Sequence, residues 1–215
     1  MDTKSFLKSI DLYVITDRHF KWNHLEIAQY AIEGGVRLIQ FREKELPTRK
    51  MVEIGEKLRK ITEKKALLIV NDRIDVALAI GADGVHIGQD DMSLKTARNI
   101  LGNKIIGVSA RNVQEAKKAE EEGADYLGVG SMFPTSTKGD IKVIGLSVLK
   151  NIRKIVNIPI IAIGGINEKN VGEVIEAGAD GVAVVSAIAN SDDPVQAVRN
   201  LREKIIQFKK KRVTL

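Results

Sequence analysis

Eight strand-length apolar runs, each followed by an amphipathic segment, predict an α/β chain folded as a single (β/α)₈ TIM barrel over residues 1–215. Three observations carry this. The runs are continuously apolar, as in parallel strands covered on both faces. Four helix-to-strand corners read alike, EGGVRLIQ, IGADGVHIG, EGADYLGVG and AGADGVAVV. In each, a glycine closes the helix in a left-handed conformation and a strand begins within a few residues. Finally, no linker divides a chain of 215 residues, which is enough for one barrel. An open doubly wound sheet is the competing architecture.

In chain order, the strands are read at LYVIT from Leu12, VRLIQF from Val36, ALLIV from Ala66 and GVHI from Gly84. They continue at KIIGVS from Lys104, DYLGVG from Asp125, IPIIAIG from Ile158 and GVAVV from Gly181. Between them, KMVEIGEKLRKITE, NVQEAKKAEEEG and NEKNVGEVIEAG place apolar residues at helical spacing.

Composition narrows the function. The chain is 44% hydrophobic but only 4% aromatic, so its core is built from Ile, Val, Leu and Ala. With no cysteine, disulfides, thiolate nucleophiles and cysteine metal sites are excluded, and a cytoplasmic setting is expected. No apolar run reaches membrane-spanning length, and the N-terminal stretch lacks a signal-type segment. The net charge of +6 suits an anionic small substrate. Part of it lies in Lys209, Lys210, Lys211 and Arg212, read as a solvated helix end. No aromatic and basic interleaving points to nucleic acid. The expected partners are small molecules, with no nucleic acid and no membrane; a homo-oligomer is compatible with the sequence.

In such a barrel the chemistry stands at the C-terminal strand ends. Two kinds meet there. Arg42 and Lys44 are two residues apart, so a strand end points both to one side, a pairing suited to phosphate oxygens. The alternative is a surface pair bonding to Glu43 or Glu45. Asp72 and Asp91 follow adjacent strands, and two carboxylates with cationic neighbours can hold Mg²⁺ against a pyrophosphate. Read singly, each aspartate is equally a helix N-cap, and Asp90 rivals Asp91 as ligand. Gly164-Gly165-Ile166-Asn167 after strand seven and Val185-Ser186 after strand eight suggest a second anion site. There Gly165 either admits a phosphate to the main chain or makes a tight turn before an Asn167 cap. His86 is read as a packed strand residue, and no histidine pair has zinc spacing.

Over nearly its whole length the chain resembles the thiamine phosphate synthase (thiamine-phosphate pyrophosphorylase) family. The resemblance is carried by QFREK, NDR, GADGVHIGQDD, IGVSA, GADYLGVG, FPTSTK, AIGGI and VAVVSAI in order. It implies a (β/α)₈ transferase that joins a hydroxymethylpyrimidine pyrophosphate to a thiazole phosphate, with Mg²⁺ as cofactor. By the same resemblance Gln40, Arg42, Lys44 and Asn71 contact the pyrimidine substrate, and Asp72 and Asp91 hold magnesium. Ser109 and Lys138 bind the pyrimidine substrate or the departing pyrophosphate. Arg42, Lys44, Ser109 and Lys138 are then the expected catalytic groups. Thr135, Ser136, Thr137, Gly165, Val185 and Ser186 contact the thiazole phosphate. The sequence departs from the family at Arg111, where a histidine is common, and at Ser131, where a proline is frequent. The related thiazole tautomerases share the barrel but lack the paired aspartates; a non-catalytic phosphate-binding barrel is the remaining alternative.

Overall fold

The computed structural model describes residues 3–135 and 142–213. The first half runs α1 (Thr3–Ser9), β1 (Leu12–Thr16), α2 (His24–Glu33), β2 (Leu38–Phe41), α3 (Thr48–Thr62), β3 (Leu67–Asn71), α4 (Ile74–Ala79) and β4 (Gly84–Ile87). It continues with α5 (Leu94–Leu101), β5 (Ile105–Ala110), α6 (Val113–Glu121), β6 (Tyr126–Gly130), α7 (Gly145–Ile155), β7 (Ile160–Ile163), α8 (Val171–Glu176), β8 (Gly181–Val184), α9 (Ser186–Ala189) and α10 (Pro194–Val213). The eight strands close in sequence order into one barrel, every neighbour parallel, and β8 returns to β1 through Leu12↔Val182 and Val14↔Val184. The predicted (β/α)₈ barrel is therefore the fold. Strands β3, β5 and β6 start one residue later than the runs read from sequence, and β2 and β7 two residues later: Val36 N still bonds back to Ala31 O, and Ile158-Pro159 precede β7.

Alternation along each strand sorts the apolar residues into two cores. Tyr13, Ile15, Leu38, Ile69, Ile105, Tyr126, Ile161 and Ala183 point into the barrel, where Leu7 and Ile10 close its lower end. The outward set, including Val14, Ile39, Leu68, Val85, Ile106, Leu127 and Val182, packs under the helices. At the repeated corners Gly35, Gly81, Gly123 and Gly178 have φ of 93°, 64°, 91° and 110°, the left-handed conformation that the sequence calls for.

The same corners build an ionic device. Asp83 accepts from the Leu68 amide at 2.7 Å and from Arg59 of α3 at 2.7 Å. Asp125 accepts from the Ile106 amide at 2.8 Å and from Arg98 of α5 at 2.7 Å. Asp180 accepts from the Ile160 amide at 2.9 Å and from Arg153 of α7 at 2.9 Å. Each carboxylate thus satisfies an amide at the start of an odd strand, the second residue of β3 and β5 and the first of β7, and ties down the helix preceding it. The first corner has no aspartate. There Arg202 of α10 donates to Asp11 from Nη2 at 2.8 Å and from Nε at 3.1 Å, across the closing seam. The basic tail is also less solvated than its composition suggests. Lys209 donates to Ile10 O at 3.0 Å, and Arg212 donates to Ile175 O and Ala179 O at 3.0 and 2.8 Å.

Candidate active site

At the opposite end, the strand ends enclose a cavity of ≈ 650 Å³. Gln40, Arg42, Lys44, Asn71, Asp72, Asp91, Ser109, Thr135, Gly165, Val185 and Ser186 all line it. The remaining sequence-predicted positions, Ser136, Thr137 and Lys138, lie outside the described residues. One cavity therefore collects groups from β2, β3, β5 and the loops after β4, β6, β7 and β8.

The cationic wall is held by carboxylates that the spacing argument did not choose. Arg42 pairs with Asp17, at the end of β1, not with Glu43 or Glu45. Asp17 is buried and also accepts from the His19 backbone amide at 3.1 Å. Lys44 reaches Asp72 at 3.2 Å. Glu43 turns inward between them. It accepts from the Glu45 and Leu46 amides at 2.8 and 3.2 Å and lies 3.4 Å from His24 Nε2. His24 Nδ1 in turn sits 2.8 Å from Thr16 Oγ1. Burial opposes ionisation of Glu43, but those amides, His24 and Arg18 outweigh it and hold the carboxyl below its usual range. Burial lowers His24 in spite of Glu43 and Asp17. This buried frame fixes the backbone that carries Arg42 and Lys44.

The acidic wall is a carboxylate pair. Burial raises Asp72 above the ordinary range, the neighbouring Asp91 carboxyl raises it further, and Lys44 pulls the other way. Asp72 has φ 60°, a conformation that few residue types other than Gly, Asn and Asp tolerate. It is not a helix cap, since α4 starts after Arg73. Asp91 does not cap α5 either; Ser93 does. Instead Asp91 Oδ2 accepts from the Gly88 amide at 2.7 Å. A Cβ at Gly88 would lie 3.0 Å from that oxygen, so glycine there leaves room for the carboxylate. Asp90 also borders the cavity, but its side chain is 99% exposed and lies 3.9 Å from Arg111. Arg111 lines the cavity but precedes Asn112, the cap of α6.

The far wall is glycine-rich main chain. Gly164 and Gly165 have φ of 100° and 66°. A Cβ on Gly165 would meet Pro134 O at 2.5 Å and Phe133 Cβ at 2.8 Å. Close packing of the loop after β6 therefore requires this glycine whether or not a phosphate approaches. Asn167 does not cap α8; Asn170 holds that position and donates to Gly165 O at 2.9 Å. Val185 precedes α9 and Ser186 begins it.

Sequence reading missed the polar floor of the cavity. Tyr13, His86 and Tyr126 all line it, and His86 is half-buried at the cavity, not packed away in a strand. Tyrosines inside apolar runs look like core. The available signal was their neighbours: Gly107 and Gly128 stand inward on β5 and β6, where the rings of Tyr126 and His86 need space.

Comparison with known proteins gives a consistent result. A family model described as thiamine monophosphate synthase matches residues 12–188. A thiamine-phosphate synthase from Archaeoglobus fulgidus is 54% identical over 202 residues, covering 93% of this chain and 95% of that one. A thiamine-phosphate synthase from Pyrococcus horikoshii is 52% identical over 199 residues, covering 92% and 96%. Among solved structures, a thiamine phosphate pyrophosphorylase from Pyrococcus furiosus superposes with a TM-score of 0.89 at 47% identity, covering 94% and 98%. A 3-hexulose-6-phosphate synthase, at 19% identity and a TM-score of 0.66, shares the fold alone.

Proposed function

The chain belongs to the thiamine monophosphate synthase family, and from that premise we propose how its cavity joins a hydroxymethylpyrimidine pyrophosphate to a thiazole phosphate. The observation that carries the reading is the single cavity into which cationic Arg42 and Lys44, the Asp72–Asp91 pair and the glycine-rich wall all open. One wall suits a pyrophosphate and the opposite wall a phosphate monoester.

The bond that breaks joins the pyrimidine methylene carbon to a pyrophosphate oxygen, and its electron pair leaves on that oxygen. The thiazole nitrogen supplies the pair for the new carbon–nitrogen bond. Thiamine phosphate and pyrophosphate result, and no protein nucleophile is needed. Arg42 and Lys44 stabilise the charge that grows on the departing oxygens. Asp17 and the Glu43–His24 frame hold those cations in place before substrate arrives. Asn71 and Gln40 bind the pyrimidine end, and Ser109 faces the pyrophosphate that leaves it. Lys138 is assigned to the same pyrophosphate, and Thr135, Ser136 and Thr137 to the thiazole phosphate. Gly165, Val185 and Ser186 would anchor that phosphate, binding remote from the reacting atoms that positions the attacking nitrogen.

The donor set suits magnesium, a hard ion that takes one or two carboxylates and fills its remaining positions with water and phosphate oxygen. Burial and the neighbouring Asp91 carboxyl raise the cost of ionising Asp72, a cost that a divalent cation would relieve. Asp72 and Asp91 would hold it, and it would neutralise charge on the leaving group. The family's biosynthetic role agrees with a cytoplasmic enzyme, and no helix among the described residues is long and apolar enough to cross a membrane. Incubating the purified chain with both substrates and Mg²⁺ is expected to yield thiamine phosphate. No product sinks the reading; product undiminished by EDTA sinks the metal assignment alone.

A further inference from the structure

Five polar side chains cross the barrel interior in one unbroken line. Gln40 Nε2 donates to the Tyr13 hydroxyl at 2.8 Å. The Tyr13 and Tyr126 hydroxyls are 3.1 Å apart. Tyr126 Oη lies 3.0 Å from His86 Nδ1, and His86 Nε2 lies 3.0 Å from Ser109 Oγ. Tyr13 is 1% exposed, Tyr126 0% and Gln40 3%, so water does not break the Gln40–Tyr13–Tyr126 stretch.

The barrel makes room for this line by leaving out two side chains. A Cβ on Gly107 would lie 2.1 Å from Tyr126 Cζ, and one on Gly128 would lie 2.7 Å from His86 Cε1. The Tyr126 ring lies over Gly107 of the neighbouring β5, and the His86 ring reaches from β4 across β5 to Gly128 of β6.

Counting hydrogens gives the line a direction. The Tyr13 oxygen receives the Gln40 amide, so its own hydrogen passes to Tyr126. Tyr126 then spends its hydrogen on His86 Nδ1, which must accept. With the Gln40 amide donating to Tyr13, the neutral tautomer carries its hydrogen on Nε2, which donates to Ser109. The Ser109 hydroxyl hydrogen is left for the cavity, and Gln40 Oε1 is left as an acceptor. Burial keeps both phenols protonated, with Tyr13 and Tyr126 raised above the ordinary range, so neither carries charge.

We infer that His86, Tyr126 and Tyr13 are positioning residues that form a one-way hydrogen-bond relay, presenting Ser109 to the pyrimidine substrate as a donor and Gln40 as an acceptor. This rests on the proposed function for what occupies the cavity. A donor locked toward an oxygen of the pyrophosphate, which gains negative charge as the bond breaks, helps most at the transition state. The relay therefore belongs to kcat more than to KM. Reversal of the line would present an acceptor to that same oxygen.

The relay is read first without turnover. In ¹⁵N-labelled free protein at pH 8, the ring nitrogens of His86, assigned by their loss in His86→Gln, are expected to show a bare Nδ1 and a protonated Nε2. Hydrogen on Nδ1 overturns the relay whatever the enzyme makes. Turnover gives the second test. Tyr126→Phe, two links from Ser109, should lower kcat by about tenfold and leave KM for the pyrimidine pyrophosphate within about twofold. In a Ser109→Ala background the same change should cost nothing further. Additive losses, or a loss confined to KM, overturn it. If circular dichroism shows Tyr126→Phe misfolded, Tyr13→Phe breaks the line one link further on and takes its place. Among the His86 variants, His86→Gln, which keeps a donor within reach of Ser109, should retain more kcat than His86→Leu; equal losses count against the relay. If wild-type protein makes no thiamine phosphate, the proposed function fails while the tautomer still decides the relay.

Discussion

The two ends of this barrel use the same residue types for opposite purposes. At the lower end every described Arg–Asp pair completes a strand or a helix: Asp83, Asp125 and Asp180 each accept a strand amide as well as an arginine. At the upper end Arg42, Lys44, Asp17 and Asp72 pair with one another around a cavity, and Asp72 does so from a left-handed backbone. The lower carboxylates each join an arginine to a strand amide, whereas Asp72 at the upper end is raised by burial and by the neighbouring Asp91 carboxyl. Stability is thereby placed where no substrate comes, and electrostatic tension is placed where substrate and metal would relieve it.

The sharpest way to break this comparison is to remove the tension. Asp72→Asn keeps a residue tolerant of φ 60°, and Asp91→Asn keeps shape without charge. Each is expected to lower turnover by about 10²-fold or more with the melting temperature little changed. Near-normal activity at low Mg²⁺ in either variant withdraws that residue from the metal. Removing the satisfaction should do the reverse. Asp11→Ala strands Arg202 and frees the Leu12 amide, and urea titration should show a loss of about 3–5 kcal/mol. The KM values of the protein still folded should be unchanged; a shifted KM would mean the ends are coupled.

Much of this division is legible in the letters. The strands are, because burial on both faces demands apolar runs such as LYVIT and GVHI. The corners are, because Gly81, Gly123 and Gly178 occupy conformations that favour glycine. The cavity residues are legible one at a time, as polar letters after apolar runs. What escapes is partnership. Nothing in the spacing of QFREK reveals that Glu43 folds inward to His24, or that Arg42 reaches back to Asp17. Those contacts depend on barrel closure, which sets β1 beside β2 at a particular register. Tyr13, His86 and Tyr126 escape for the same reason, since only the closed interior aligns their polar atoms.

Smaller effects sharpen the comparison within the upper end. Ser186→Ala should raise KM for the thiazole phosphate by about tenfold, the loss of one hydrogen bond to a charged group; an unchanged KM removes Ser186 from that anchor. The His24 frame should show as a pH dependence of stability. Its pKa is lowered by burial, so its folded form resists the proton and its contribution is fully present above the unfolded value of 6.5. That contribution is lost as pH falls below 6.5 through the lowered value. Denaturation midpoints followed from pH 8 to 5 should decline over the lower part of this range, and His24→Asn should flatten the decline. Glu43, also lowered, adds a loss of the same sign only as pH falls below 4.5.

The three corner clamps also bear on the order in which the chain assembles. Their Arg and Asp partners stand 24, 27 and 27 residues apart, whereas Asp11 and Arg202 are separated by 191. The longer separation is nearly three doublings of loop length, an added closure cost of roughly 2 kcal/mol. Each clamp can therefore form by local search inside its own helix–strand–helix–strand stretch, while the β1–β8 seam waits for the whole chain. The seam is then the last join made and the first expected to open, and hydrogen exchange should find weaker protection across β1 and β8 than across β5 and β6. Sequence duplication at the corners thus gives the barrel a built-in seam, and Arg202 is its fastening.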